Sequence, residues 1–183
     1  MRTLREEKER SYLRLTEVKE EIDKPIKELI NSLPQVGRLE WIGVRRQRRE
    51  PLESLEEVGV SVDGGLEGDH FKSKFSKKRQ VTLIQKEHLE AVAAILGGRE
   101  ISPSLTRRNL VVSGLNLFSV RDRKFSIGEV VFEGTGYCHP CSRMEENLGP
   151  GGYNAMRGHG GLTAMVVSGG VIRVGDEVKL VKE

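Results

Sequence analysis

The sequence predicts a mainly β chain with inserted helices, arranged as a partly closed β-barrel and preceded by an N-terminal helix. Three observations carry this. Short aliphatic and β-branched runs, such as Val58 to Val62 and Gln80 to Ile84, recur between glycines, acids and other charged residues. Glycine is frequent, 21 in 183 residues, and aromatics are only 5%, a balance that suits many turns better than a helical bundle. The strands also do not alternate with helices, which argues against a doubly wound parallel sheet.

Two regions follow from the pattern along the chain. Residues 1–33 form a charged helical extension: Ile22, Ile26, Leu29 and Ile30 recur at helical spacing, and Pro34 ends the run. Glu20–Lys24 and Asp23–Lys27 are placed for i,i+4 pairing on that helix. Its apolar stripe suits a surface helix lying on the domain or a homodimer contact. Residues 37–182 form the barrel domain. Leu39 to Ile42, Val58 to Val62 and Gln80 to Ile84 are its first strands, and a helix runs from about Gln85 to Leu96, stopped by Gly97-Gly98. Ser102-Pro103 opens a short helix ending near Arg107. Asn109 to Val112, Val130 to Thr135, Thr163 to Val167, Val171 to Val174 and Glu177 to Val181 complete the strands, with Ser168-Gly169-Gly170 and Gly175-Asp176 as hairpin turns.

Charge and cysteine usage narrow the function. A net charge of +3 from 30 bases and 27 acids gives no case for nucleic-acid binding. There is no apolar run of membrane-spanning length, and Met1 to Glu7 is not a signal peptide, so neither a membrane nor export is expected. A cytoplasmic location follows, where thiols stay reduced. Both cysteines sit in Cys138-His139-Pro140-Cys141, directly after a strand and a glycine turn. Two thiols three positions apart on a polar loop suit metal ligation, disulfide exchange or sulfur carriage; two packed thiols are the bland alternative.

Other polar clusters accompany that loop. Gly64 to Gly68 is a glycine-rich turn ending in Asp69-His70, where backbone can approach a ligand and His70 can move a proton. Arg45, Arg46, Arg48 and Arg49 form one basic run, and Lys72 to Arg79 another. Such runs are usually solvated, yet together they can focus field on an anion. Arg107-Arg108-Asn109 lies at a helix-to-strand junction, where arginine can grip a phosphate bidentately while asparagine satisfies a turn. His159 stands in the loop Gly158-His159-Gly160-Gly161.

Taken in order, these residues resemble the MOSC domain, named for the C-terminal part of molybdenum-cofactor sulfurases. The landmarks are Gly65 to His70, Arg79 to Leu83, Arg107 to Val112, Phe125 to Glu129, Pro140-Cys141, and Gly160-Gly161 leading to Gly170 through Asp176. The resemblance covers about Gly37 to Lys182. It implies a barrel like the barrel domain of pyruvate kinase and a site for the molybdenum cofactor, molybdopterin. The family's functional cysteine corresponds to Cys141, as sulfur carrier or molybdenum ligand, and nearby arginines would favour its thiolate. Arg107 and Asn109 match family positions by motif. Arg79 joins them as a candidate for the pterin phosphate, Arg108, His159, Gly160 and Gly161 for the cofactor more broadly, and Asp69 and His70 for the surroundings of the metal. Cys138 is extra and would resolve a persulfide on Cys141 or be neutral.

The chain has no room for the pyridoxal-phosphate domain of full sulfurases, so no such cofactor is expected here, and it resembles a stand-alone bacterial type. It would take sulfur from a separate cysteine desulfurase, or work with a reductase partner to reduce N-hydroxylated compounds, with His70 or His159 supplying a proton. A non-catalytic cofactor carrier would use the same binding residues. Zinc held by Cys138, His139, Cys141 and His159, or a thioredoxin-like redox role, are the readings from other classes. Against zinc, adjacent Cys138 and His139 rarely reach one tetrahedral ion. Against thioredoxin, the pair is not at the start of a helix in a βαβ unit.

Overall fold

The computed structural model describes residues 25–71 and 76–181. The chain divides into two compact units, Met1–Pro34 and Gln35–Glu183. Of the first, the described part is helix α1 (Ile26–Asn31), on which Ile26, Leu29 and Ile30 are exposed. The expected pairs Glu20–Lys24 and Asp23–Lys27, and Ile22 of the apolar stripe, lie outside the described residues.

The described residues of the second unit form eleven strands. They are β1 (Gly37–Val44), β2 (Glu53–Leu55), β3 (Glu57–Ser61), β4 (Gly65–Leu66), β5 (Val81–Gln85) and β6 (Leu110–Ser113), followed by β7 (Lys124–Ile127), β8 (Val130–Tyr137), β9 (Leu162–Ser168), β10 (Gly170–Arg173) and β11 (Glu177–Leu180). Seven of them pair in the order β11-β7-β8-β9-β5-β6-β1, and β1 returns to β11 through Gly37↔Val178 and Arg38↔Glu177. The barrel is therefore closed, where the sequence suggested a partly closed one. Closure removes the edge strands that an open sheet of this size would expose. β2 extends from β1, and β10-β3-β4 forms a separate small sheet.

Alternating burial explains these strands. β7 reads exposed, buried, intermediate, buried, and β1 carries Leu39 and Ile42 to the core with full burial. Phe125 of β7 and Phe132 of β8 are paired in register and stack with centroids 5.6 Å apart inside the barrel. All the barrel pairings are antiparallel except β5 to β6. A parallel pair needs a crossover, and helix α2 (Lys86–Ile95) with the 3₁₀ turn Pro103–Thr106 provides it. Leu89 and Val92 of α2 pack on Ile84 and Val111, together with Met144 and Leu148 from helix α3 (Arg143–Leu148) and Ala155 from helix α4 (Gly152–Ala155).

Two expected hairpins are absent. Ser168-Gly169-Gly170 leaves β9 of the barrel and enters β10, whose partner is β3 in the small sheet. Gly175-Asp176 likewise joins β10 to β11, which pairs with β7 and β1. The glycines are real punctuation, but local spacing cannot say which strand each run pairs with. The sequence pattern does not mark β2, β4 or β7 as strands; β2 and β4 are only three and two residues long.

Because Phe132 is fully buried against Phe125, Phe132→Ala should cost about 3–5 kcal/mol. Urea unfolding followed by circular dichroism would measure it; a loss below about 1 kcal/mol would contradict a packed barrel interior.

Candidate functional site

The segment between the 3₁₀ turn and β6 sets out three side chains in three directions. Arg107 takes a left-handed backbone conformation at φ 61°, which turns the chain sharply before the strand. Arg108 then points inward. Its Nε donates to the Gly160 carbonyl at 2.8 Å and Nη1 to Thr106 at 2.8 Å, while Nη2 donates to the Cys138 carbonyl at 2.9 Å and to that of His139 at 3.3 Å. Burial pushes its pKa down, an effect that the two nearby thiol groups oppose. Asn109 is also buried and spent internally: Oδ1 accepts from Thr82 N and Oγ1, and Nδ2 donates to the Gly43 carbonyl. It ties β1, β5 and β6 together from one side chain.

Arg108 thereby fixes the cysteine loop. Cys138, at the end of β8, is 3% exposed, and its amide donates to the Gly161 carbonyl at 2.8 Å. A Cβ on Gly160 would collide with the Cys138 carbonyl, and one on Gly161, at φ 87°, with that of Leu83. These glycines are needed for backbone to meet backbone. Beyond the bend, Cys141 is exposed, and Arg107 Nη1 donates to its sulfur at 3.3 Å. The Cys141 carbonyl accepts from Met144 N, so the first turn of α3 is tied to the loop through backbone.

The facing wall comes from the chain after β1 and after β4. Asp69 Oδ1 accepts from the Arg45 amide at 3.1 Å, and its Oδ2 lies 3.6 Å from His70 Nδ1. Arg45 Nε donates to His70 Nδ1 at 3.3 Å, which leaves the ring proton on Nε2 when the imidazole is neutral. Burial lowers the Arg45 pKa, repulsion from Arg107 adds to this, and Asp69 works against it. Arg79 is exposed on the same cleft, beside Gln80, whose buried amide donates to the Val62 carbonyl and accepts from Val166 N.

Together these walls enclose a cavity of about 510 Å³, within the range of small-molecule and cofactor sites. It brings together Cys141, Cys138, Arg107, Arg108, Arg79, Asp69, His70 and Asn109 from the sequence reading. Gly160 and Gly161 stand behind Cys138 rather than on the cleft. His159 is elsewhere: its ring meets His88 edge-on at 5.0 Å, and both Nδ1 atoms are buried without a hydrogen-bond partner among the described residues. In the sequence Arg45 is undistinguished from Arg46, Arg48 and Arg49 of the same basic run; its position directly after β1 is what sets it on the cleft. Among the described residues, no cluster of three or more His, Cys, Asp or Glu side chains is placed to hold a metal ion by itself.

Residues 70–179 match the MOSC domain model, and the chain belongs to the MOSC domain family. No functionally curated protein matches it in sequence. Solved structures share its fold. The YUAD protein from Bacillus subtilis superposes with a TM-score of 0.69 at 19% identity, over 79% of this chain and 95% of that one. YiiM from Geobacillus stearothermophilus gives 0.66 at 18%, over 80% and 75% of the two chains. YiiM from Escherichia coli gives 0.60 at 19%, over 80% and 70%. Identities this low establish the fold alone. Among the described residues no helix is long and apolar enough to cross a membrane.

Arg108→Lys keeps the charge but cannot serve four carbonyls, so chemical denaturation should show a loss on the order of 3 kcal/mol. Arg107→Lys, on the surface of the cleft, should change stability by less than about 0.5 kcal/mol. Equal costs would refute the division between clamp and cleft.

A second expectation concerns pH. Burial pushes the His88 imidazole below its ordinary 6.5, with the His159 contribution in the same direction and Glu87 opposing. Below 6.5 the unfolded chain therefore binds the proton while the folded one resists it, and stability falls as pH drops. Melting temperature should decline more steeply between about pH 7 and about pH 5 in wild type than in His88→Gln. Parallel profiles would show that His88 does not contribute.

Proposed function

We propose that this protein binds the molybdenum cofactor in the cleft and that Cys141 is the thiol that meets its metal. The observation that carries this is an exposed sulfur held by a guanidinium, Arg107 to Cys141, on the wall of a cavity lined by further arginines. MOSC domains are associated with molybdenum cofactor binding and sulfur transfer. The residues present suit that group in three ways. Cys141 is a soft ligand, Arg45, Arg79 and Arg107 are cations for a phosphate, and the cavity is of cofactor size.

When bound, the cofactor supplies a redox-active molybdenum held by a pterin dithiolene. The chain's own groups hold and orient. Arg107 reaches both the sulfur and the anion-binding wall, and Arg108 and Asn109 keep the two walls in register from below. Arg45, whose amide is held by Asp69, fixes the His70 ring, and its Nε2 proton is the one available to a reacting group in the cleft.

The exposure of Cys141 favours sulfur transfer as the activity, because a separate cysteine desulfurase must reach that thiol to load it. The oriented His70 favours the second reading, reduction of N-hydroxylated compounds with an external electron donor. A non-catalytic carrier would use neither group.

Expressed in a cofactor-producing host, wild type should hold molybdenum and pterin in stoichiometric amounts. Cys141→Ala should lose metal while keeping pterin, and Arg107→Ala should lose pterin. Neither component in wild type, even after anaerobic addition of free cofactor, would overturn the reading. Incubation with a desulfurase and cysteine should add one sulfur to wild type and none to Cys141→Ala by mass spectrometry; turnover of an N-hydroxylated substrate without such loading would favour the reductase.

A further inference from the structure

The cleft does not end at Arg107. A smaller cavity of about 230 Å³ adjoins it, and Arg45 and Arg107 line both. The smaller one adds Arg49 and Arg143, with Ser104 and Asn147 as neutral polar groups. It is built by three separate segments: the loop after β1, the 3₁₀ turn before Arg107, and α3.

Charge across the two cavities is far from balanced. Their linings contain six arginines, Arg45, Arg49, Arg79, Arg107, Arg108 and Arg143, against two carboxylates, Glu50 and Asp69. Asp69 accepts from the Arg45 amide, and Glu50 accepts from the Gln47 amide. Arg143 pairs with Glu146, and Arg108 is spent on carbonyls. Arg45, Arg49, Arg79 and Arg107 have no ion pair with a carboxylate among the described residues. Arg45 and Arg107 line the same two cavities, and burial followed by repulsion from Arg107 pushes the Arg45 pKa down. A fold does not gather cations this way for stability; an anion relieves the repulsion.

One phosphate monoester carries about two negative charges and three acceptor oxygens, and would fill only one of these cavities. The pair of arginines shared between them is suited to something longer. We propose that the smaller cavity is a second anion subsite of the cleft, and that the ligand carries a diphosphate, the linkage through which a nucleotide extends the pterin phosphate. This rests on the cofactor reading and deepens it. The first phosphate lies against Arg79 and Arg107, the second against Arg49 and Arg143, and Arg45 and Arg107 stand between them.

Isothermal titration calorimetry of the full chain with inorganic phosphate and with inorganic pyrophosphate, at fixed ionic strength, tests it. Wild type should bind pyrophosphate about tenfold or more tightly than phosphate, since two further charge-assisted contacts are made. In the Arg49→Ala/Arg143→Ala double variant that preference should collapse toward unity. Arg107→Ala should weaken both anions. Phosphate binding that depends on Arg107 but shows no pyrophosphate preference, or a preference that survives the double variant, overturns the second subsite and leaves the cofactor reading standing. Failure of wild type to bind either anion overturns both. Circular dichroism of each variant separates lost binding from lost folding, and replacing Arg143 by Lys, which keeps the charge and the fold, should preserve the preference.

Discussion

The site depends on one buried cation. Arg108 leaves water to bind carbonyls of Thr106, Cys138, His139 and Gly160, so three stretches of chain far apart in sequence converge on its guanidinium. Taking that charge out of water is expensive, and charge-assisted bonds to carbonyl dipoles are what offset it. The arrangement works only because its neighbours have no side chains in the way: Gly160 lets backbone meet the Cys138 carbonyl, and Gly161 lets it meet that of Leu83 in β5. The loop bearing Cys141 is held from beneath, and its outer face is free for chemistry.

The barrel gives that clamp something rigid to act against. β5 and β6 are the parallel neighbours in the closed sheet, and the crossover that parallel pairing demands delivers Arg107, Arg108 and Asn109 at its return. Asn109 then bonds β1 and β5 at the same level. The side chains of the candidate site thus project from short loops whose ends are anchored in strands, the usual division between a stiff scaffold and a variable surface. Arg45 shows the same logic from the opposite wall, one residue beyond the end of β1.

Much of this was legible in the residues, and the failures have physical causes. The mainly β character, the long helix and the two-cysteine loop follow from patterns that local chemistry determines. Arg107-Arg108-Asn109 was legible as a unit facing a ligand, yet the left-handed turn at Arg107 sends the next two side chains into the protein. Arginine is not among the residue types enriched in that conformation, so nothing local marks it. Ser168 to Gly170 has the composition of a hairpin, but its strands belong to different sheets, and pairing across a barrel is a property of the whole chain. His159 and His70 look alike in glycine-rich loops; only the folded structure sends one to a histidine pair and the other to the cleft.

Barrel closure has a topological consequence. Gly37 opens the first strand and pairs with Val178 in the last, so the chain enters and leaves the barrel side by side. A module with adjacent entry and exit behaves as a cassette: it can be spliced into a loop of a larger host, or its two ends joined and a new break opened elsewhere, without unpicking a single strand pair. The cleft is lined by residues 45–141, all lying between the two seam strands, so the cassette would carry its arginines and its thiol with it intact.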